Sequence, residues 1–379
     1  MVAETALVDP TFWLAAFAGG AFGAAIGALP AFIFTGFSVM AGEALFLVDG
    51  NDSITGLVGF GPVFGPHISF AAGAAAGGAF GAALGALPAF IFTGFAVIAG
   101  EALFLVDGND SITGLVGFGP VFGPHISFAA GAAAAAYAAK QGYIDDGKNI
   151  LWAAGTNHLD VLLVGGIFGL FGFAATELLN FVQFPSDNIA LIVFVSALVH
   201  RVAFGYSIIG EITGSGMFDV GPFERGEDEA PGIWLPWQYK WANVAFLGVI
   251  GGLLGGFIYI ETGSAVLGFG ISAASLVFLQ CGVDNIPVTH HITLPGSMGA
   301  IGALGPYGAE GAMVFALIFG VFGALMGEVC NRVFYMHGKT HVDPPAFAIA
   351  AAALLSATLV TAGVLDAPFT FELTDFLAI

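Results

Sequence analysis

The sequence predicts an all-α fold: a polytopic transmembrane helix bundle of two homologous, inverted halves, with broken or re-entrant helices and an extra 58-residue tandem duplication. Three observations carry this reading. Of 379 residues, 58% are hydrophobic and only 9% charged, where soluble domains carry about 25% charged residues. So few charges cannot cover the apolar surface of a soluble fold. That excludes an ordinary cytosolic enzyme, a nucleic-acid binder and a disordered chain. Glycine, at 58 residues, is threaded through long apolar runs, as in transmembrane helices that pack backbone to backbone. The third observation is internal repetition at two scales.

The first repeat sets the front of the chain. Residues 19–76 recur as 77–134 with three changes, Ile26 to Leu84, Ser38 to Ala96 and Met40 to Ile98. Loop residues such as Asp49, Asn51 and Asp52 are copied too. Packing alone would not preserve them, so the copy reads as a recent duplication or a gene-model artefact. Apolar segments fall at 11–33, 34–48, 67–90 and 91–106, the third a hybrid of two element types. Pro30 and Pro88 interrupt this stretch, so 34–48 and 91–106 either continue their predecessors after a kink or stand as separate spans. The duplication adds an even number of crossings and leaves the downstream orientation unchanged.

Segments at 125–142, 160–182 and 189–207 complete the first half, and 242–260, 264–281, 291–303, 311–336 and 345–364 make the second. That is about 12 segments, several shorter than the ~20 residues of a full span and hence re-entrant or tilted. The organisation reads as an N-terminal duplicated unit (1–76), a first half (77–209), an acidic loop between the halves (210–241) and a second half (242–379).

The second repeat relates the halves. Ile167-Phe-Gly-Leu-Phe-Gly172, followed by Glu177 and Asn180, matches Ile318-Phe-Gly-Val-Phe-Gly323, followed by Glu328 and Asn331, at a constant shift of 151. Upstream, the string from Pro120 through His125 to Ser127 matches that from Pro287 through His291 to Thr293, and Gly77, Gly81 and Gly85 match Gly248, Gly252 and Gly256. The cations supply orientation. If Lys140, Lys148, Arg225, Lys240 and Lys339 all face the cytoplasm, the halves point in opposite directions, as in many transporters. The competing arrangement has parallel halves with 291–303 as a re-entrant loop.

Acidic residues outnumber basic ones 27 to 7 and the net charge is -20. They concentrate in tails and loops, as at Glu224, Glu227, Asp228 and Glu229. Such a surface stays hydrated in strong salt, where screening removes self-repulsion, and it argues against nucleic acid as a partner. This composition resembles that of membrane proteins from salt-loving archaea. The resemblance covers the whole chain, is compositional, and implies a cell-membrane location and no specific activity. Cys281 and Cys330 lie in or beside apolar segments and suggest no disulfide. The N-terminus shows no basic region of a cleavable signal.

Ionisable groups in apolar segments are the first candidates for function. Glu177 with Asn180 and Glu328 with Asn331 each share a helix face. Under inverted symmetry the two pairs converge near the midplane, as a hard-cation or proton site; the alternative is local pairing, Glu328 with Arg332. His67, His125 and His291 each follow an irregular Gly/Pro stretch and open a small-residue segment. With Ser127, Thr293 and the neighbouring His290 they form the candidate gate, or else a capped helix start. The Gly-Pro-His-Ile-Ser string is similar to one motif of chloride channels and exchangers, whose other signature motifs are absent. Glu43 and Glu101 lie in the two copies of one segment, and Glu101 is a further candidate. The loop from Asp107 to Thr113 lacks a calcium loop's closing carboxylate and reads as an Asx turn. Asn157, His158 and Asp160 read as a helix cap or, less simply, a metal site, and His337 and His341 with Asp343 read as loop residues, at most a weak metal cluster. Trp234, Trp237, Tyr239 and Trp241 read as an interface belt.

No catalytic motif is present, and the loop from Gly210 to Tyr239 is too small for a catalytic domain. The chain therefore reads as a non-enzymatic, multi-pass cell-membrane transporter or channel for a small ion or solute, its path between the halves. The alternative is a structural or lipid/carotenoid-binding membrane protein forming oligomers or a lattice. The implied partners are the lipid bilayer, a small ion or solute, and other copies of the chain; no nucleic acid, metal or particular cofactor is implied.

Overall fold

A computed structural model describes residues 66–151, 157–227 and 232–369, with side chains from Gly73 onward. The two apolar segments at 11–33 and 34–48, and Glu43 within them, lie outside the described residues. The regular elements of the described chain are all helices: α1 (Pro66–Leu84), α2 (Ala86–Asp107), α3 (Ser127–Lys140), α4 (Leu159–Phe181), α5 (Asn188–Ala203), the single turn α6 (Gly221–Glu224), α7 (Trp241–Thr262), α8 (Leu267–Ser275), α9 (Val277–Gln280), α10 (His290–Cys330) and α11 (Pro344–Thr361). Wider π-helical turns follow α2 (Ile112–Gly117) and extend α10 (Asn331–Tyr335). Five of these helices, α2, α4, α7, α10 and α11, are long and apolar enough to cross a membrane; α1, α5 and the α8–α9 pair hold shorter apolar stretches. At 23 residues, α4 is about 35 Å long, against a hydrocarbon core of about 30 Å.

Two breaks fall where the backbone, rather than the proline, requires them. The α1–α2 boundary is at Gly85 (φ 106, ψ 149), not at Pro88 as the sequence suggests. Pro88 sits in the first turn of α2, where its missing N–H would have had no helical partner. The segments 291–303 and 311–336 are the two arms of α10, broken at Gly308 (φ 66, ψ -173), a conformation open to glycine alone. The chain doubles back there. Tyr307 stacks on Phe315 at 5.4 Å, and Gly299 faces the Phe315 carbonyl, although in a straight helix those last two residues would be about 24 Å apart.

Glycine rows decide which helices touch. On α7, Gly252 and Gly256 face Gly320 and Ala316 in the second arm of α10, while Gly251 and Gly255 face Ile292 and Thr293 in the first arm. On α1, Gly78 faces Gly165 and Gly169 of α4, while Gly77 and Gly81 face Ile126 and Ser127 at the start of α3. Contact for contact, Gly78 corresponds to Gly252 and Gly81 to Gly255. The match of Gly77, Gly81 and Gly85 with Gly248, Gly252 and Gly256 is therefore displaced by one row. Each helix carries two adjacent rows of small residues, one per neighbour, and sequence spacing does not tell them apart.

Two helix pairs cross antiparallel at the centre. Along α2, Gly94 meets Ala273 and Ala274, Val97 meets Gly270, and Glu101 reaches Ser264 just before α8. Along α5, Ser186 just before the helix donates to the Ala350 carbonyl, Phe194 packs on Phe347, and Arg201 reaches Thr340. In both pairs residue numbers rise on one helix as they fall on the other.

The seven basic residues gather at one end of the bundle. Lys148 donates to the Met336 carbonyl and Gly147 forms a backbone bridge with Thr340, beside Lys339. Buried Arg201 donates to Thr340 and to the carbonyls of Ile208 and Phe334. Arg332 donates to the carbonyls of Phe218 and Tyr239. Lys140 lies over the Tyr206 ring and Lys240 over Tyr239, and Arg225 pairs with Glu227 in the same loop layer. The loop after α3 thus shares an end with the loop before α11.

Candidate functional site

A cavity of about 460 Å³ lies where α2, α3 and α5 face α8, α10 and α11, under the loop residues 146–151 and 234–237. Its wall is a run of aromatic rings. Phe90 meets Phe128 and Phe269 edge-on at 5.8 and 5.7 Å, and Phe118 packs on Phe269 at 5.5 Å. His341 meets Phe128 and Tyr335 edge-on at 5.5 and 5.4 Å, and the His290 ring lies 4.7 Å from Phe90. Such pairs hold rings rigidly, each contributing about 0.5–1.5 kcal/mol beyond burial.

Three carboxylates and one cation belong to this wall: Asp146, Asp187, Asp343 and Lys148. Asp187 and Asp343 act alike, capping α5 and α11. Asp187 accepts from the Ala190 amide and Asp343 from the Ala346 amide, both at 2.9 Å. Burial raises the Asp187 carboxyl to about 6, although its cap bonds favour the charged form. Burial likewise lowers Lys148 to about 8, opposed by nearby Asp146; its ammonium lies over the Tyr335 ring at 4.5 Å. His341 Nε2 stands 3.5 Å from Asp343 Oδ1. The Nδ1 atoms of His290 and His341 are buried without a partner, although most buried polar atoms find one.

Of the path residues expected from sequence whose side chains are described, His290 alone lines this cavity. His125 and His291 are buried in helix packing, their carbonyls against Gly172 and Gly323, and Ser127 and Thr293 likewise face Gly81 and Gly255. The His291 ring edges onto Trp234, which does line the cavity. His67 is the second residue of α1 and its side chain lies outside the described residues.

The two Glu/Asn pairs do not converge. Glu328 accepts from Arg332 Nε at 2.6 Å and from Asn331 Nδ2 at 3.2 Å, and Asn331 Oδ1 accepts the Trp234 amide. This pair thus ties the basic end of the bundle together, the local pairing being the one realised. Half-buried Glu177 lies toward the far end of α4, about 27 Å from its start, where Asn180 accepts from Asn188 Nδ2 at 2.8 Å. The reason is direction: α4 leaves the basic end, whereas the second arm of α10 arrives there. Glu101 is also structural. Its two oxygens accept from the hydroxyls of Thr113 (2.8 Å) and Ser264 (2.5 Å), joining the π-helical turn to the start of α8.

Other candidates resolve similarly. The 107–113 loop is a pair of Asx turns, Asp107 accepting from the Asn109 amide and Asn109 from the Ser111 amide. Asp160 accepts from the hydroxyls of Tyr137 and Tyr143, and His158 stacks on Tyr143. Trp234 and Trp237 line the cavity, and Trp237 Nε1 donates to the Ile286 carbonyl. Among the described residues, no group of three or more His, Cys, Asp or Glu is placed to hold a metal ion. Sequence reasoning missed Asp187 as a site residue and took Asp343, with His337 and His341, only as a weak loop metal cluster. The capping signal of both was available, an Asp directly before an apolar run, in Ser-Asp-Asn and Asp-Pro-Pro contexts that mark helix starts.

The model of a family of unknown function, DUF7973, matches the chain twice, over residues 2–77 and 74–373. The chain belongs to that family, its second match spanning every described helix from α2 to α11 and a first, partial match preceding it. No curated protein and no solved structure matches.

Proposed function

We propose that this DUF7973 member is a cell-membrane transporter or channel for a small solute or ion, built from two homologous halves of opposite orientation, residues 66–203 and 241–361. The observation that carries the proposal is the antiparallel crossing of α2 with α8 and of α5 with α11. Helices related by a twofold axis perpendicular to their length meet in that way. The equivalent contacts of Gly78 with Gly252, Gly81 with Gly255 and Gly172 with Gly323 support the same relation. Each half then contributes an odd number of crossings, and the cavity lies where the halves face one another. That is the usual place of a substrate site in inverted-repeat transporters, whose halves rock about it. The seven cations at one end support a cytoplasmic position for that end.

Flux into proteoliposomes tests this reading, using a panel of alkali cations, halides, organic cations and small neutral solutes. Saturable flux of one class, lost on filling the cavity with Ala190→Trp, is the expected result. Folded protein that moves none of them would overturn it. The aromatic wall is the one observation that favours a lipid or carotenoid occupant instead. Organic extraction of the purified protein would reveal such a tail, and a stoichiometric amount would decide for that reading.

A further inference from the structure

We infer that the cavity between the halves takes a small organic ammonium ion with at least one N–H donor and an apolar body. The inference rests on the cavity being the substrate site, as proposed above. Three features of the wall point to this class. The rings of Phe90, Phe128, Phe269 and Trp234 surround the space, and aromatic faces attract organic cations while covering their hydrocarbon. Asp146, Asp187 and Asp343 outnumber Lys148, whose ammonium is already engaged by the Met336 carbonyl and the Tyr335 ring. Finally, the unpartnered Nδ1 atoms of His290 and His341 have side chains buried to 5% and 1% exposure. If His341 donates through Nε2 to Asp343, its Nδ1 is left as an acceptor. A ligand N–H supplies what that atom lacks.

The competing classes fit less well. An anion would seek the N-termini of α5 and α11, but both are already capped by aspartates. A bare metal ion needs several oxygens converging at about 2.0–2.6 Å, and no such group is placed among the described residues. A neutral apolar solute would leave the remaining acceptor positions of these carboxylates without a donor, a costly arrangement in a buried site.

The probe is 2-phenylethylammonium, titrated against the purified full chain in nanodiscs at pH 7, with calorimetry as the readout. The comparison compounds are 2-phenylethanol, 3-phenylpropionate, tetramethylammonium and sodium chloride. The ammonium is expected to bind at least about tenfold more tightly than the alcohol, the scale of one charge-assisted hydrogen bond. Tetramethylammonium, without an N–H, is expected to bind more weakly than the probe. Asp187→Asn and Asp343→Asn should each weaken the probe by about tenfold. Asparagine caps helices as well as aspartate does, so the unliganded variants should melt no lower than the wild type. A variant that melts early is replaced by direct competition between the compounds on wild-type protein. The assignment is overturned if the alcohol or the propionate binds as tightly as the ammonium, if no compound binds, or if both Asn variants bind like wild type. Ammonium binding without flux upholds this inference and sinks the transport reading. Flux of an alkali cation or halide without ammonium binding does the reverse.

Discussion

Glycine packing gives the sharpest mutational contrast. At Gly252 of α7 an added Cβ would lie 2.5 Å from the Ala316 carbonyl oxygen and 2.8 Å from Gly320 Cα. Carbon atoms settle at about 3.5–4.0 Å, so the backbones of α7 and α10 must part by about 1 Å. Neither obstacle is a side-chain tip that can rotate away. At Gly166 of α4 an added Cβ would meet only the Ala75 carbonyl oxygen, at 3.4 Å, in ordinary contact. Alanine gains about 1 kcal/mol over glycine in a helix at either site. At Gly252 the overpacking, about 1–3 kcal/mol and felt along the whole α7–α10 seam, cancels or exceeds that gain. Gly252→Ala should therefore lower the melting temperature by several degrees, at about 2–4 °C per kcal/mol, whereas Gly166→Ala should hold or raise it. Gly165→Ala, whose Cβ would lie 2.5 Å from Ala82 Cβ, should behave like Gly252→Ala. Thermal unfolding in detergent, followed by far-ultraviolet circular dichroism, measures all three. Equal stability of Gly252→Ala and Gly166→Ala would refute the close-packing argument.

Two further outcomes follow from the charged groups. Glu328 and Arg332 form a buried ion pair, so Glu328→Gln should destabilise by about 3–5 kcal/mol, and pairing it with Arg332→Met should restore part of the loss; denaturant unfolding of the single and double variants checks this. Asp187 has its folded pKa raised to about 6 from 3.8, so the folded state holds a proton that the unfolded chain releases. Stability from this group is full below pH 4 and falls through pH 6, by up to about 3 kcal/mol. Melting curves from pH 4 to 7 should show that fall in the wild type and a smaller one in Asp187→Asn.

Much of the fold was legible because apolar length and small-residue spacing are local signals. The segments expected at 160–182, 242–260 and 345–364 coincide closely with α4, α7 and α11. What escaped depends on geometry that spacing does not encode. Pro88 looked like the break because proline is the visible breaker, yet Gly85 bears the conformation that no other residue takes readily. The Glu/Asn pairs were assigned to a common midplane because equal sequence positions suggest equal depth. Helices of opposite direction send those positions to opposite ends, which leaves Glu328 beside Arg332. The cavity was not legible, since its lining comes from α2, α3, α5, α8, α10 and α11 and from the loops between them. Only the paired caps Asp187 and Asp343 left a local mark.

The central claim is that the two halves are inverted, and the loops joining their last two helices test it most directly. Gln183 lies in that loop of the first half and Lys339 in that loop of the second, both exposed. In a background where exposed Cys281 is replaced by serine, Gln183→Cys and Lys339→Cys are each treated in intact cells with a membrane-impermeant maleimide. The account predicts labelling of Gln183→Cys from outside and of Lys339→Cys only after the membrane is opened. Labelling of both from the same side would contradict it.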